Sequence, residues 1–376
     1  MKLTNRYYFD YNATSPLACS VKDWVASGGV FLGNPSAIHL SGRESAKLIH
    51  ETCDFLFSIF GLKKTHDLFF HSGATEGSNT ILTGFVDSMK KDDGALFLYS
   101  PTDHSCITET APIMEGKGLQ TEMYKINKNG EFDEVFFQGG YLDKFTGNSI
   151  LNYTWVNNET GVVWDLKKAS RIKEKTNAFI HVDATQAPFK VEDWRKLDCD
   201  IDAYSFSGHK FGSFTGVGFS FIKKGYKYNR FRGGTQNLHG IYSMKLAIEE
   251  KLLKVDISRT RKAKQYLESE LSKLIHKKGE IVGAESSLRN SNTIMMIVYG
   301  KKANNLLPAF DMGGMDISSG SACSSGLSGP NRVLLGMGYS EADASCALRF
   351  SFEPELTQES ANTYFERIKS VFVRIL

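Results

Sequence analysis

The sequence predicts an α/β fold: a mostly parallel sheet wrapped by helices and joined to a smaller α+β domain. Three observations predict it. The chain has 376 residues, too many for one compact core and enough for two or three domains of ordinary size. From about Asp67 to Phe221, short apolar runs alternate with polar, helix-compatible stretches, the pattern of strands linked by helical crossovers. Beyond Tyr242 the pattern changes to long helical periodicity.

In order along the chain, Leu68-Phe69-Phe70, Ala95 to Tyr99, Ile150 to Val156, Phe179 to Val182, Ala203 to Phe206 and Gly218 to Ile222 have the length and the β-branched or aromatic content of buried strands. Tyr242 to about His276 reads as a long helix, Thr293 to Tyr299 and Leu348 to Ser351 as strands, and Ala361 to Ile375 as a closing helix. The expected division is 16–240 for the large domain and 1–15 with 241–376 for the small one. Ligands of such sheets sit at the carboxyl ends of the strands, so the polar residues directly after these runs should share one crevice.

Composition narrows the functional classes. Hydrophobic residues make up 41% and charged residues 23%, with a formal net charge of +3, values for a globular protein without a nucleic-acid footprint. No basic block carries interleaved aromatics, and Lys277-Lys278 reads as a solvated helix end. Met1 to Asn5 lack the apolar core of a secretory signal, and no run approaches the roughly 20 apolar residues that span a bilayer. A cytoplasmic protein without membrane contact is therefore expected. The cysteines are Cys19, Cys53, Cys106, Cys199, Cys323 and Cys346, with no CxxC pair. That spacing predicts no metal site and no disulfide framework, and most of the thiols, Cys346 among them, are expected to be small buried residues.

The chemistry sits after the strands. Lys210, in Ser207-Gly208-His209-Lys210, follows a predicted strand, where partial burial and a nearby cation can free its amine for Schiff-base work; the plain alternative is a surface lysine. Asp183 ends the Phe179 strand and precedes Gln186. A carboxylate there suits the pyridine nitrogen of pyridoxal phosphate (PLP) and the glutamine amide its phenolate oxygen; alternatively Asp183 is a helix cap. His71-Ser72-Gly73-Ala74-Thr75-Glu76 joins a strand to a helix and offers backbone N–H groups of Ala74 and Thr75 to a phosphate, with Ser207 and His209 in reach. His104 could stack on the ring and move protons or be structural. Asn158 could serve a ring oxygen or a substrate carboxylate. Cys323 lies in a thirteen-residue stretch, Ile317 to Gly329, rich in Gly, Ser and Ala, as befits a nucleophile on a mobile loop, or a tolerated free thiol. Arg349, in an apolar run, needs an anion: a substrate carboxylate or an internal ion pair.

These residues resemble the cysteine desulfurases, a branch of the class V, fold-type I PLP enzymes. The resemblance runs from Phe9-Asp10-Tyr11-Asn12-Ala13-Thr14 through Gly33-Asn34-Pro35-Ser36, the Ser72 to Glu76 turn, Asn157-Asn158-Glu159, Val182 to Gln186, Ser207 to Lys210 and Gly234-Thr235 to the Ser319–Cys323 loop. It implies a mostly parallel seven-stranded sheet in the large domain and PLP held covalently by Lys210. Asp183 would then lie on the ring nitrogen, Gln186 on the phenolate oxygen, His104 on the ring, and Thr75, Ser207 and His209 on the phosphate. Asn34, Asn158 and Arg349 would hold the carboxylate of L-cysteine, and Cys323 would take its sulfur as a persulfide, leaving alanine. The threonine matching Thr235 reaches the partner subunit's phosphate, which implies a homodimer. The length of the loop from Cys323 to Pro330 resembles the branch that feeds iron-sulfur scaffold proteins. The chain departs from the family in a shortened connection from Gly225 to Gly233. The alternatives are another class V enzyme, an aminotransferase or selenocysteine lyase, or an idle sulfur-relay paralogue.

Overall fold

The computed structural model describes residues 6–28, 33–88, 95–132, 149–176, 178–226, 234–320 and 329–375. Its strands, in chain order, are β1 (Tyr7–Tyr8), β2 (His66–His71), β3 (Leu96–Tyr99), β4 (Gln120–Met123), β5 (Ser149–Thr154), β6 (Phe179–Asp183), β7 (Ala203–Ser207), β8 (Gly218–Lys223), β9 (Gly279–Ile281), β10 (Thr293–Val298), β11 (Met315–Asp316) and β12 (Ala347–Ser351). Seven of them form one sheet in the order β2-β8-β7-β6-β5-β3-β4. β8 alone runs opposite to the other six. The sheet is mostly parallel, as the alternation of apolar and polar stretches predicts, and seven-stranded, as the family resemblance implies.

Strands β5, β6 and β7 are buried along their whole length, as central strands covered on both faces must be. On one face Phe60, at the end of helix Leu40–Phe60, packs its ring on Phe206, Phe219 and Phe221. On the other face Phe85 of helix Ala74–Asp87 meets Phe179. Residues two apart on a strand share a face, so Phe179, His181 and Asp183 all lie on the side of helix Ala74–Asp87.

A second sheet, β12-β10-β9, is antiparallel. The N-terminal segment reaches it: β1 pairs with β11, and Asp10 bridges to Ser351. Phe9 is buried among Phe350, Phe352 and Tyr364.

Two expectations are corrected. The long helix is two helices, Leu238–Lys254 and Ile257–Leu274. Val255 takes an extended conformation, and the Asp256 carboxylate accepts a bond from the Arg259 backbone N–H to start the second helix. Ile241, Met244 and Ile248 of the first helix bury in the apolar cluster of the large sheet. The cysteines are also not mostly buried: of those described, Cys106 and Cys346 are buried, Cys53 is partly so, and Cys19 and Cys199 are exposed. No described helix is long and apolar enough to cross a membrane.

Gly77 lets helix Ala74–Asp87 approach the sheet. A Cβ there would lie 2.4 Å from His71 Nε2 and 2.7 Å from Ser220 Oγ, and both residues are buried. Gly77→Ala should cost about 1–3 kcal/mol through overpacking, read as a lower urea midpoint at an unchanged m-value.

Candidate active site

A cavity of about 560 Å³ opens at the carboxyl ends of β2, β5, β6 and β7. Each of these strands delivers its next polar residues to the wall. Ser72 to Thr75 follow β2, Asn158 lies beyond β5, Asp183 ends β6, and Ser207, His209 and Lys210 close β7. Gln186, His104 and Arg349 line it too. Ten of the sequence-predicted positions thus meet in one place.

The Lys210 amine donates to the backbone carbonyls of Asn12 and Ala13, each at 2.8 Å. Burial pushes its pKa down to about 8; Arg349 acts in the same direction and Asp10 and Asp183 oppose it. An amine so placed holds or releases a proton close to neutrality. His209 falls to about 4, first through burial and then through Lys210 and Lys190, so it is neutral at pH 7. Its Nδ1 lies 3.1 Å from Thr14 Oγ1. His104 is also held below its ordinary value, by burial before any charge, and its Nδ1 accepts from the Cys106 backbone N–H at 3.2 Å. The neutral ring therefore carries its hydrogen on Nε2.

The β2 turn has the features of an anion site. Helix Ala74–Asp87 has no side-chain cap, which leaves its first N–H groups to solvent or a ligand. Gly73 leaves room beside Ser207 Oγ, which a Cβ would meet only at 3.7 Å. Thr185 Oγ1, on the same cavity, is buried without a hydrogen-bond partner. Asp183 Oδ1 accepts from the Thr185 N–H at 3.0 Å, so its capping role and its place on the cavity coexist.

Arg349 realises the ion-pair alternative: it is almost fully buried and meets Asp10 Oδ1 at 2.6 Å. The guanidinium Nη1 donates to Asn158 O at 3.2 Å, while Nε is buried with no hydrogen-bond partner among the described residues. Two predicted residues do not reach this cavity. Asn34 is exposed and accepts from the Ser36 N–H. Thr235 is exposed beside Pro35 and Ser36, in a separate depression. Cys323 and the shortened segment at 227–233 lie outside the described residues. The chain leading to Cys323 is anchored here, because Ser318 and Gly320 line the cavity. Gly320 has φ +117°, and a Cβ on it would lie 2.1 Å from Asn331 Nδ2.

Sequence reasoning gave no role to Asn12 or Lys190. Asn12 is buried and bonded on every polar atom. Its N–H donates to Ser351 Oγ, its amide to Asn158 O and Thr293 Oγ1, and its side-chain oxygen accepts from Lys190 and Asn292. Its carbonyl accepts from Lys210 and Gln186. Lys190 is fully buried, bonds Gln186 Oε1 as well, and is held well below its ordinary pKa by burial. The only sequence signal for either was Asn12's place in the Phe9–Thr14 motif.

Because only the free amine attacks a carbonyl, trapping of Lys210 by an aldehyde and borohydride should increase with pH around a midpoint of about 8. Arg349→Met should raise that midpoint, since a repelling cation is lost. Peptide mapping of the adduct across a pH series reads both; a wild-type midpoint at the ordinary lysine value would contradict the burial argument.

The aminotransferase class-V family model matches residues 7–363. The cysteine desulfurase IscS of Dictyoglomus turgidum is 28% identical over 388 residues, covering 98% of this chain and 95% of its own. The putative cysteine desulfurase IscS 1 of Bacillus subtilis is 28% identical over 389 residues, covering 98% and 99%. Among solved structures, a NifS-like protein from Rickettsia africae superposes with a TM-score of 0.82 at 23% identity, over 98% of this chain and 100% of that one. With a family model spanning nearly the whole length and the same fold in solved relatives, the chain belongs to the class-V aminotransferases.

Proposed function

We propose that this protein is a cysteine desulfurase that removes sulfur from L-cysteine, releases L-alanine and carries the sulfur as a persulfide on Cys323. One observation supports it above the rest. The Lys210 amine, the Asp183 carboxylate and the uncapped helix start share a cavity whose wall also holds Ser318 and Gly320, and Cys323 lies three residues beyond Gly320.

Enzymes of this family depend on PLP. The residues present fit it: an amine of lowered pKa, a strand-end carboxylate, free N–H groups at a helix start and an orphaned buried hydroxyl on Thr185. Lys210 would hold the aldehyde carbon, Asp183 the ring nitrogen, and Ala74, Thr75, Ser207 and His209 the phosphate. His104 would cover the ring, with Gln186 near its oxygen. The bound cofactor supplies an electron sink for the bond to the substrate α-hydrogen. Lys210 Nζ takes that proton; the Asn12 and Ala13 carbonyls accept its hydrogens when it stands free. Arg349 and Asn158 hold the substrate carboxylate, with the orphaned Arg349 Nε as one donor. Cys323 forms the new S–S bond as the substrate sulfur leaves its carbon.

The same reading includes a homodimer, in which Thr235 and Asn34, exposed and away from their own cavity, serve the partner's. It includes a cytoplasmic location and an iron-sulfur scaffold or other protein as sulfur acceptor. It also includes the division into 16–240 and 1–15 with 241–376.

With L-cysteine and a reductant, the holoenzyme should release alanine and sulfide in equal amounts. A keto acid in place of alanine would assign an aminotransferase instead. Cys323→Ala should keep the bound cofactor and lose sulfide release by about a hundredfold or more, as loss of a nucleophile does; release at the wild-type rate would remove Cys323 from the reaction.

A further inference from the structure

A continuous string of buried hydrogen bonds crosses the large sheet beneath helix Ala74–Asp87. Asn152 Nδ2, on β5, donates to Asp103 Oδ2 at 2.8 Å. Asn152 Oδ1 meets His181 Nδ1, on β6, at 2.7 Å. His181 Nε2 meets Ser205 Oγ, on β7, at 2.8 Å. Ser205 Oγ meets Ser220 Oγ, on β8, at 2.9 Å, and Ser220 Oγ meets His71 Nε2, on β2, at 2.9 Å. All six residues are buried. Two glycines make room at its end, for a Cβ on Gly218 would lie 2.6 Å from His71 Cε1, as one on Gly77 would crowd Nε2.

The string has one direction. Asp103 collects three donors: Asn152 Nδ2, the Ser100 N–H at 2.9 Å and Thr154 Oγ1 at 2.6 Å. A carboxylate in its ionised form only accepts. With the Asn152 amide turned toward it, Asn152 Oδ1 must accept from His181 Nδ1–H; burial keeps the ring neutral, so its Nε2 accepts from Ser205. Ser205 then accepts from Ser220, and Ser220 from His71 Nε2–H. Asp183 follows His181 by two residues on the same face of β6, and its charge draws a proton toward that imidazole against the burial that repels one.

We propose that Asp103 is a positioning residue: through Asn152 it fixes His181 as the neutral Nδ1–H tautomer beneath Asp183, and so reserves the Asp183 carboxylate for the cofactor ring. The second clause rests on the proposed function; the first does not. Asp103 itself leans on the string: burial pushes its pKa up, the three donors oppose that rise, and the balance stands at about 7. Thr154, one of those donors, lines the cavity, so the carboxylate meets the active site at one remove.

The test uses the full-length protein at pH 8, with imidazole nitrogens labelled and the His181 and His71 signals assigned by His181→Gln and His71→Gln. Nitrogen NMR of the apo protein should show His181 protonated on Nδ1 alone and His71 on Nε2. An Nε2–H or doubly protonated His181 would overturn the proposal. Two cuts of the string separate positioning from mere stability. Asn152→Leu severs Asp103 from His181, whereas Ser220→Ala severs only the far end. In the holoenzyme, Asn152→Leu should abolish the single tautomer and move the visible-absorbance titration of the bound cofactor by about half a pH unit or more. Ser220→Ala should change neither. Equal shifts in both variants, or none in either, would refute a positioning role for Asp103. A protein that takes up no PLP would sink the proposed function and the link to Asp183, while the apo tautomers would still decide the direction of the string.

Discussion

The site depends on one buried amide. Asn12 stands where the N-terminal segment, the β10–β12 sheet and the loops after β5 and β7 converge, and each of its polar atoms has a partner in a different element. An unpaired amide in that position would cost on the order of 1–3 kcal/mol per lost bond, so the elements must all arrive together. The Lys210 amine is aimed by this arrangement rather than by its own loop, because both its acceptors belong to the N-terminal segment. The carbonyl that receives Lys210 also receives Gln186. A shift of the N-terminal segment would therefore move two active-site residues at once.

Charge follows from the same convergence. Lys210, Lys190 and Arg349 are brought close, with Asp10 and Asp183 as the nearby carboxylates. The Coulomb energy of three clustered cations falls when one gives up a proton, and burial selects the lysines because a guanidinium keeps its charge. Arg349 meets Asp10 at 2.6 Å. Lys190, bonded among the described residues to neutral oxygens of Asn12 and Gln186, is held well below its ordinary pKa, first by burial and then by Lys210 and Arg349.

Much of this was legible in the sequence, for local reasons. The buried strands announced themselves as apolar runs between polar stretches, and the residues just after them, such as Asp183 and Lys210, had to gather at one edge of a parallel sheet. Strand β4 was missed because Gln120–Met123 is a partly exposed edge without an apolar run. The break at Val255 was hidden because helical spacing continues on both sides; the cue was Asp256, a capping residue in mid-pattern. Asn12 and Lys190 could not be read because their roles rest on partners 174 or more positions away for Asn12's bonds to Gln186 and Lys190. Arg349 was readable as a buried charge in need of an anion, but not as the partner of Asp10, which lies 339 positions off.

The polar row under helix Ala74–Asp87 bears on how the sheet is assembled. Strands β5, β6 and β7 are covered on both sides, so apolar alternation gives almost no instruction about which residue should lie beside which. Asn152 lies directly opposite His181, and Ser205 opposite Ser220. Sliding any one of these strands by a single position would turn its polar group to the opposite face and leave its buried neighbours unpaired. Alignment of the central strands is thereby enforced by a penalty on every wrong pairing, a form of error correction written in three hydroxyl- or amide-bearing side chains and two imidazoles.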